Sequence, residues 1–139
     1  MPNIALDSTP QQVADFVVAH LYKQGKPAKG ESTCVYRKFE DDGTYLMCAV
    51  GALLTDEEFD PWGNAWSLQS LLRKRIAMLS QDVVDFYRTH YDLLRRLQGV
   101  HDLWVTDLEG KYNFSSLILK LQRLYSDFGL SFPEILQTE

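Results

Sequence analysis

Four stretches of the chain repeat apolar residues at helical spacing, and only one short stretch is rich in strand formers. A chain built this way must bury several helical stripes against one another. In the first stretch Val13, Phe16, Val17, His20 and Leu21 share one face. Thr9 is placed to cap it, Pro10 suits the first helical position, and Gln12 stands where a capping-box partner belongs. Gly25 and Pro27 end it, which predicts a helix over 10–24. The stripe Leu68, Leu71, Leu72, Ile76 and Leu79 predicts a second helix over 66–79. After Ser80, a candidate cap, the stripe Val84, Tyr87, Tyr91, Leu94, Leu97 and His101 predicts one longer helix over 81–104, with Gly99 as the place for a bend. Phe114, Leu117, Leu121, Leu124 and Phe128 predict a last helix over 114–128. Gly129 stands where a left-handed C-terminal cap belongs, and Leu130 can fold back on the last turn.

The strand-rich stretch has two arms, Cys34-Val-Tyr-Arg-Lys-Phe39 and Thr44-Tyr-Leu-Met-Cys48, around the turn signal Glu40-Asp-Asp-Gly43. This predicts an antiparallel hairpin over about 34–48. A lone hairpin is marginal in water, so it must pack on the helices. The small apolar run Ala49-Val-Gly-Ala-Leu-Leu54 reads as a short buried helix or a tight strand exit, with Gly51 allowing close backbone approach. The expected fold class is therefore α+β: mainly helical, four or five helices packed with one short antiparallel β-hairpin. At 139 residues the chain suits a single globular domain over 1–139, and its 45% hydrophobic content supports a core without a metal or disulfide staple.

Charge narrows the function classes. The formal net charge of −5 disfavours nonspecific nucleic-acid binding, which needs a basic surface. The acids are concentrated between Glu40 and Asp60, at Glu40, Asp41, Asp42, Asp56, Glu57, Glu58 and Asp60, with no Lys or Arg among them. The balance reverses from Arg73 to Arg96, through Arg73, Lys74, Arg75, Arg88, Arg95 and Arg96. Residues Met1 to Asp7 lack the basic segment and apolar run of a signal peptide, and no apolar stretch approaches the roughly 20 residues of a spanning helix. With two cysteines, too few for a disulfide scaffold, the expected compartment is the cytoplasm.

The sharpest enzymatic idea is a thiol nucleophile. Cys48 at the start of a short helix would have its pKa lowered by the dipole, and His101 would serve as base with Asp102 nearby. Neighbouring residues on a helix point about 100° apart, so Asp102 is expected to be poorly placed to orient His101. The apolar run after Cys48 argues for a buried, quiet thiol. A turn centred on Asp42 would set Cys34 opposite Val50 rather than Cys48, so both cysteines are expected to be reduced. His20, His90 and His101 lack ligand-like spacing, and no metal and no cofactor is expected. Arg73, Lys74 and Arg75 suggest phosphate contact, against the commoner reading of a solvated helix face. Trp62, between Pro61 and Gly63 in an irregular stretch, is the best candidate for an exposed aromatic anchor, whereas Trp66 and Trp104 read as core.

The segments Cys34-Val-Tyr-Arg37 and Cys48-Ala-Val-Gly-Ala-Leu-Leu-Thr-Asp-Glu-Glu-Phe-Asp60 resemble those of a group of small proteins from tailed bacteriophages and prophages. That group pairs a Cys-x-Tyr-Arg strand with a Cys-Ala-(Val/Ile)-Gly-x-Leu-(Ile/Leu)-x-Asp-Glu segment. Leu97-Gln-Gly-Val-His-Asp102 and the close at Phe128-Gly-Leu130 are similar to further elements of the group, so the resemblance spans roughly residues 9 to 132. The chain departs at Asp60-Pro-Trp-Gly-Asn-Ala65, where the group carries a Glu-Gly pair, and no shared site is carried over at that loop. The resemblance implies a phage or prophage origin and action inside a bacterial cell, but brings no enzymatic activity with it.

The expected function is thus a non-enzymatic accessory protein that binds, and inhibits or redirects, a host or phage protein with a basic surface, including a host-defence factor. Its expected binding residues are Asp41, Asp42, Asp56, Glu57, Asp60 and Trp62. The alternatives are a small cysteine-dependent hydrolase or transferase using Cys48 and His101, and a nucleic-acid-associated protein using Arg73, Lys74 and Arg75. No membrane partner is expected.

Overall fold

The computed structural model describes residues 4–28, 37–39, 45–53, 80–104, 112 and 114–133. They are mainly helical: α1 (Pro10–Gln24), α2 (Gln81–Thr89), α3 (Tyr91–Asp102) and α4 (Phe114–Asp127), with strands β1 (Arg37–Phe39) and β2 (Tyr45–Met47) between α1 and α2. The expected helix over 66–79, with Leu71, lies outside the described residues. Among the described residues no helix is long and apolar enough to cross a membrane.

The helix ends follow their local chemistry. Thr9 Oγ1 accepts the Gln12 N–H at 3.2 Å while Gln12 Oε1 accepts the Thr9 N–H at 2.8 Å, so each satisfies a donor the helix leaves open. At the other end Gly25 takes φ 80° and donates to the Leu21 carbonyl. The α4 terminus carries both bonds of a Schellman closure: Leu130 N–H reaches the Tyr125 carbonyl at 2.8 Å and Gly129 N–H reaches Ser126 at 3.1 Å. Gly129 has φ 67°, where a side chain would be strained.

The helix expected over 81–104 is instead two helices. The break falls at His90 (φ −100°, ψ 13°), which closes α2 and opens α3, and not at Gly99, which lies within α3. His90 N–H still bonds the Phe86 carbonyl, and Leu94 N–H bonds the His90 carbonyl. Hydrogen bonding thus bridges the joint, and the apolar periodicity runs through it unchanged. The His90 ring sits against Phe86, with centroids 4.9 Å apart.

Helix α3 is the hub and packs against α1, α2 and α4. The core joins Val13, Val17, Val18 and Leu21 of α1 to Leu93, Leu94 and Leu97 of α3 and Leu117, Leu121 and Leu124 of α4. Full burial of such side chains contributes roughly 1.5–3 kcal/mol each, which explains why the stripes decide the fold. β1 and β2 pair antiparallel, Arg37 with Met47, Lys38 with Leu46 and Phe39 with Tyr45. That is the register of a turn centred on Asp42; residues 40–44 themselves lie outside the described residues. The helix α1 holds the pair by an unusual strand-like contact. Gln24 Oε1 accepts the Met47 N–H at 2.8 Å, and Gln24 Nε2 donates to the Met47 carbonyl at 2.9 Å.

Candidate functional site

Immediately after β2 the chain enters the buried run Cys48–Leu53. Ala52 N–H bonds the Cys48 carbonyl and Leu53 N–H bonds that of Val50, so the run turns once with helical hydrogen bonding. Cys48 stands at its start, as expected, and its Sγ takes the place of a capping oxygen, accepting the Gly51 N–H at 3.2 Å. The thiol is fully buried and free. Desolvation pushes its pKa up to about 12, against the opposing pull of the hydrogen bonds from Gly51, Val50 and Gln98. The lowering expected from the helix start is overridden. A helix end is worth roughly 0.3–1 kcal/mol, less than the cost of a charge in an apolar interior.

His101 is also fully buried. Its Nε2 faces the Ala28 N–H at 2.9 Å, and its Nδ1 faces Asp102 Oδ1 at 2.9 Å. An N–H donor requires a lone pair opposite it, so Nε2 is the acceptor and the proton resides on Nδ1, donating to the carboxylate. This corrects the expectation that Asp102 is poorly placed to orient His101. The Asp102 carboxylate also accepts from Gln98 Nε2 one turn back, at 2.8 Å, while it meets the Nδ1 edge of the imidazole. Gln98 Oε1 in turn accepts the Val50 N–H at 3.1 Å. A chain of polar contacts therefore runs from Asp102 through Gln98 to the Cys48 turn, and from Asp102 through His101 to the Ala28 backbone.

The arrangement contains the residue types of a thiol–imidazole–carboxylate constellation, but its parts are spent on one another. The Nε2 lone pair that a base would use holds Ala28, and the sulfur has no exposed surface. What the network does chemically is satisfy backbone donors of two irregular segments, with His101 fully buried and Asp102 at the surface. His20 lies near it, half-buried, with its ring 3.4 Å from the Met47 carbonyl, and desolvation holds its pKa below the usual value. Gln24 and Gln98 went unnoticed in the sequence. A glutamine on an amphipathic helix carries no local signal that distinguishes a solvated side chain from one that tethers a distant backbone.

The predicted binding residues Asp41, Asp42, Asp56, Glu57, Asp60 and Trp62 lie outside the described residues, as do Cys34, Trp66 and the basic run Arg73, Lys74 and Arg75. Trp104 is core, as read, against the rings of Tyr112 and Phe114. Among the described residues no group of three or more His, Cys, Asp or Glu side chains could hold a metal ion.

A second site lies at the N-terminal end of α1. Residues 6–10 and α2 enclose an open groove of about 540 Å³ lined by Leu6, Asp7, Ser8, Pro10, Asp82, Asp85, Phe86, Thr89 and His90. His90 is 5% exposed, and its ring is hydrogen-bonded to the backbone of Ser8. Burial lowers its pKa. Comparison of the chain with protein-family models, curated proteins and solved structures yields no match.

Proposed function

We propose that the protein is a phage- or prophage-derived accessory factor that acts in the bacterial cytoplasm by binding a host or phage protein with a basic surface, and so inhibits or redirects it. In this reading residues 34–48 form a complete hairpin whose turn presents Asp41 and Asp42, with Asp56, Glu57, Asp60 and Trp62 in the loop that follows the buried Cys48 turn. The acids steer a basic partner, and Trp62 supplies buried area. The observation that favours this over the cysteine-dependent alternative is the state of Cys48 and His101. Both are fully buried, and His101 has its basic nitrogen occupied by a backbone donor.

The test is capture of partners from a bacterial extract by the parent chain and by an Asp56→Lys, Glu57→Lys variant, read by mass spectrometry. The variant keeps its thermal stability and loses the partner retained by the parent. If the folded variant retains that partner as well as the parent does, the acidic loop is not the interface.

A further inference from the structure

The groove between residues 6–10 and α2 combines an apolar floor with an acidic rim. Leu6, Pro10 and Phe86 supply the floor, and Asp7, Asp82 and Asp85 stand around it; among the described residues no Lys or Arg lines it. All three carboxylates belong to exposed residues. Local structure accounts for part of the acidity. Asp82 is in the first turn of α2, and Asp85 accepts from Gln81 Nε2 at 2.8 Å. The remaining question is which sign of charge the groove favours.

The groove runs along α2 from Asp82 to Thr89, so the opposite ends of that helix largely offset one another. The α1 N-terminus at Pro10 adds about half an elementary positive charge, and its Gln12 and Val13 N–H groups are already held by Thr9. Against this stand three full negative charges. His90 at the base contributes no standing cation at neutral pH, because burial favours its uncharged form. The balance is negative.

We propose that this groove is a docking site for an arginine-bearing segment of a partner protein, with the aliphatic stem of the arginine on Leu6, Pro10 and Phe86 and its guanidinium between Asp82, Asp85 and Asp7. An arginine suits the site better than a compact ammonium. Its stem covers apolar surface while the planar head reaches two carboxylates three residues apart on one helix face. This rests on the proposed binding of a basic partner and adds a second contact surface, remote in sequence from Asp41–Asp60.

The test uses the full chain and a labelled, end-capped peptide, Ala-Arg-Leu-Ala-Arg-Leu-Ala, in fluorescence anisotropy at low salt. A second peptide carries citrulline at both arginine positions. The parent binds the arginine peptide, and Asp82→Asn with Asp85→Asn weakens binding about tenfold or more, as expected for loss of charge-assisted contacts. Thr89→Lys, which adds a cation at the C-terminal end of α2 where a helix tolerates one, weakens it as well. Asp127→Asn, an exposed acid outside the groove lining, leaves it unchanged, and the citrulline peptide does not bind. Circular dichroism confirms that each variant is folded. The groove proposal is overturned if the parent fails to bind the arginine peptide, if citrulline binds equally well, or if the Asp82/Asp85 and Thr89 variants bind like the parent. It is also overturned if the Asp127 variant loses as much affinity as the groove variants. Partner capture by the Asp82/Asp85 variant separates the two readings. Unchanged capture defeats the groove while leaving the protein-binding function standing, and a parent that captures nothing defeats the function itself.

Discussion

Two buried histidines on the same stretch of chain meet opposite surroundings. His101 is sealed: one ring nitrogen accepts from Ala28, the other donates to Asp102, and no surface of the residue is exposed. His90 is equally interior by area but forms the base of an open groove, with Asp7, Asp82 and Asp85 around it. The first histidine ties α3 to the segment after α1. The second marks a joint between helices and faces a cavity that solvent can enter. The residue type therefore says little about role. What separates them is enclosure: both ring nitrogens of His101 are held inside the protein, whereas His90 opens on a groove.

The largest expected effect comes from the apolar core on which the sealed side depends. Leu94→Ala or Leu121→Ala should each lower unfolding free energy by about 2–5 kcal/mol in denaturant titrations. Both side chains are essentially fully buried, at 0% and 1% exposure. A loss below about 1 kcal/mol would show that the α3–α4 contact yields easily, and would weaken the contrast between a rigid side and an open one.

A smaller effect distinguishes the histidines directly. His101→Phe strands the buried Ala28 N–H, which should cost about 1–3 kcal/mol, with the Gln98–Asp102 contact loosened as well. His90→Phe keeps an aromatic ring against Phe86 and loses the bond to Ser8, which lines the groove where water can take its place, so it should cost less. Equal losses in the two variants would break the comparison.

The smallest effect is in pH. Burial lowers the pKa of His90 and of His20 from an unfolded value of 6.5. A group with a depressed folded pKa binds protons first in the unfolded state, so stability is full above about pH 6.5 and falls as pH drops below it. The denaturant midpoint should therefore be lower at pH 5.5 than at 7.5, and His90→Phe should flatten the difference. Identical midpoints in the parent chain would contradict the assignment.

These contrasts also explain what could be read before the structure. Thr9 and Gln12, Gly25, Gly129 and Leu130 act where their neighbours alone suggest, because capping depends on residues within one turn. Leu94, Leu97, Leu121 and Leu124 are core, because periodicity is a local record of burial. The joint at His90 was hidden because hydrogen bonding continues across it and the stripe keeps its phase. The His101–Asp102 contact is not legible because an ideal helix points neighbours apart, whereas in the structure the carboxylate meets both His101 and Gln98 one turn back. The tethers from Gln24 to Met47 and from Gln98 to Val50 join residues more than twenty positions apart, and no sequence spacing encodes them.

In the proposed function, Cys48 and His101 serve the fold and binding surfaces carry the activity. The most direct test of this is the labelling rate of Cys48 by a thiol reagent in a Cys34→Ser chain, measured across a denaturant series. The account predicts no labelling of the native protein at neutral pH on a timescale of minutes. Labelling should then rise in step with unfolding, because the thiol is fully buried with its pKa pushed up to about 12. Rapid labelling in the absence of denaturant, suppressed by His101→Phe, would contradict it and restore the cysteine-dependent reaction as the leading function.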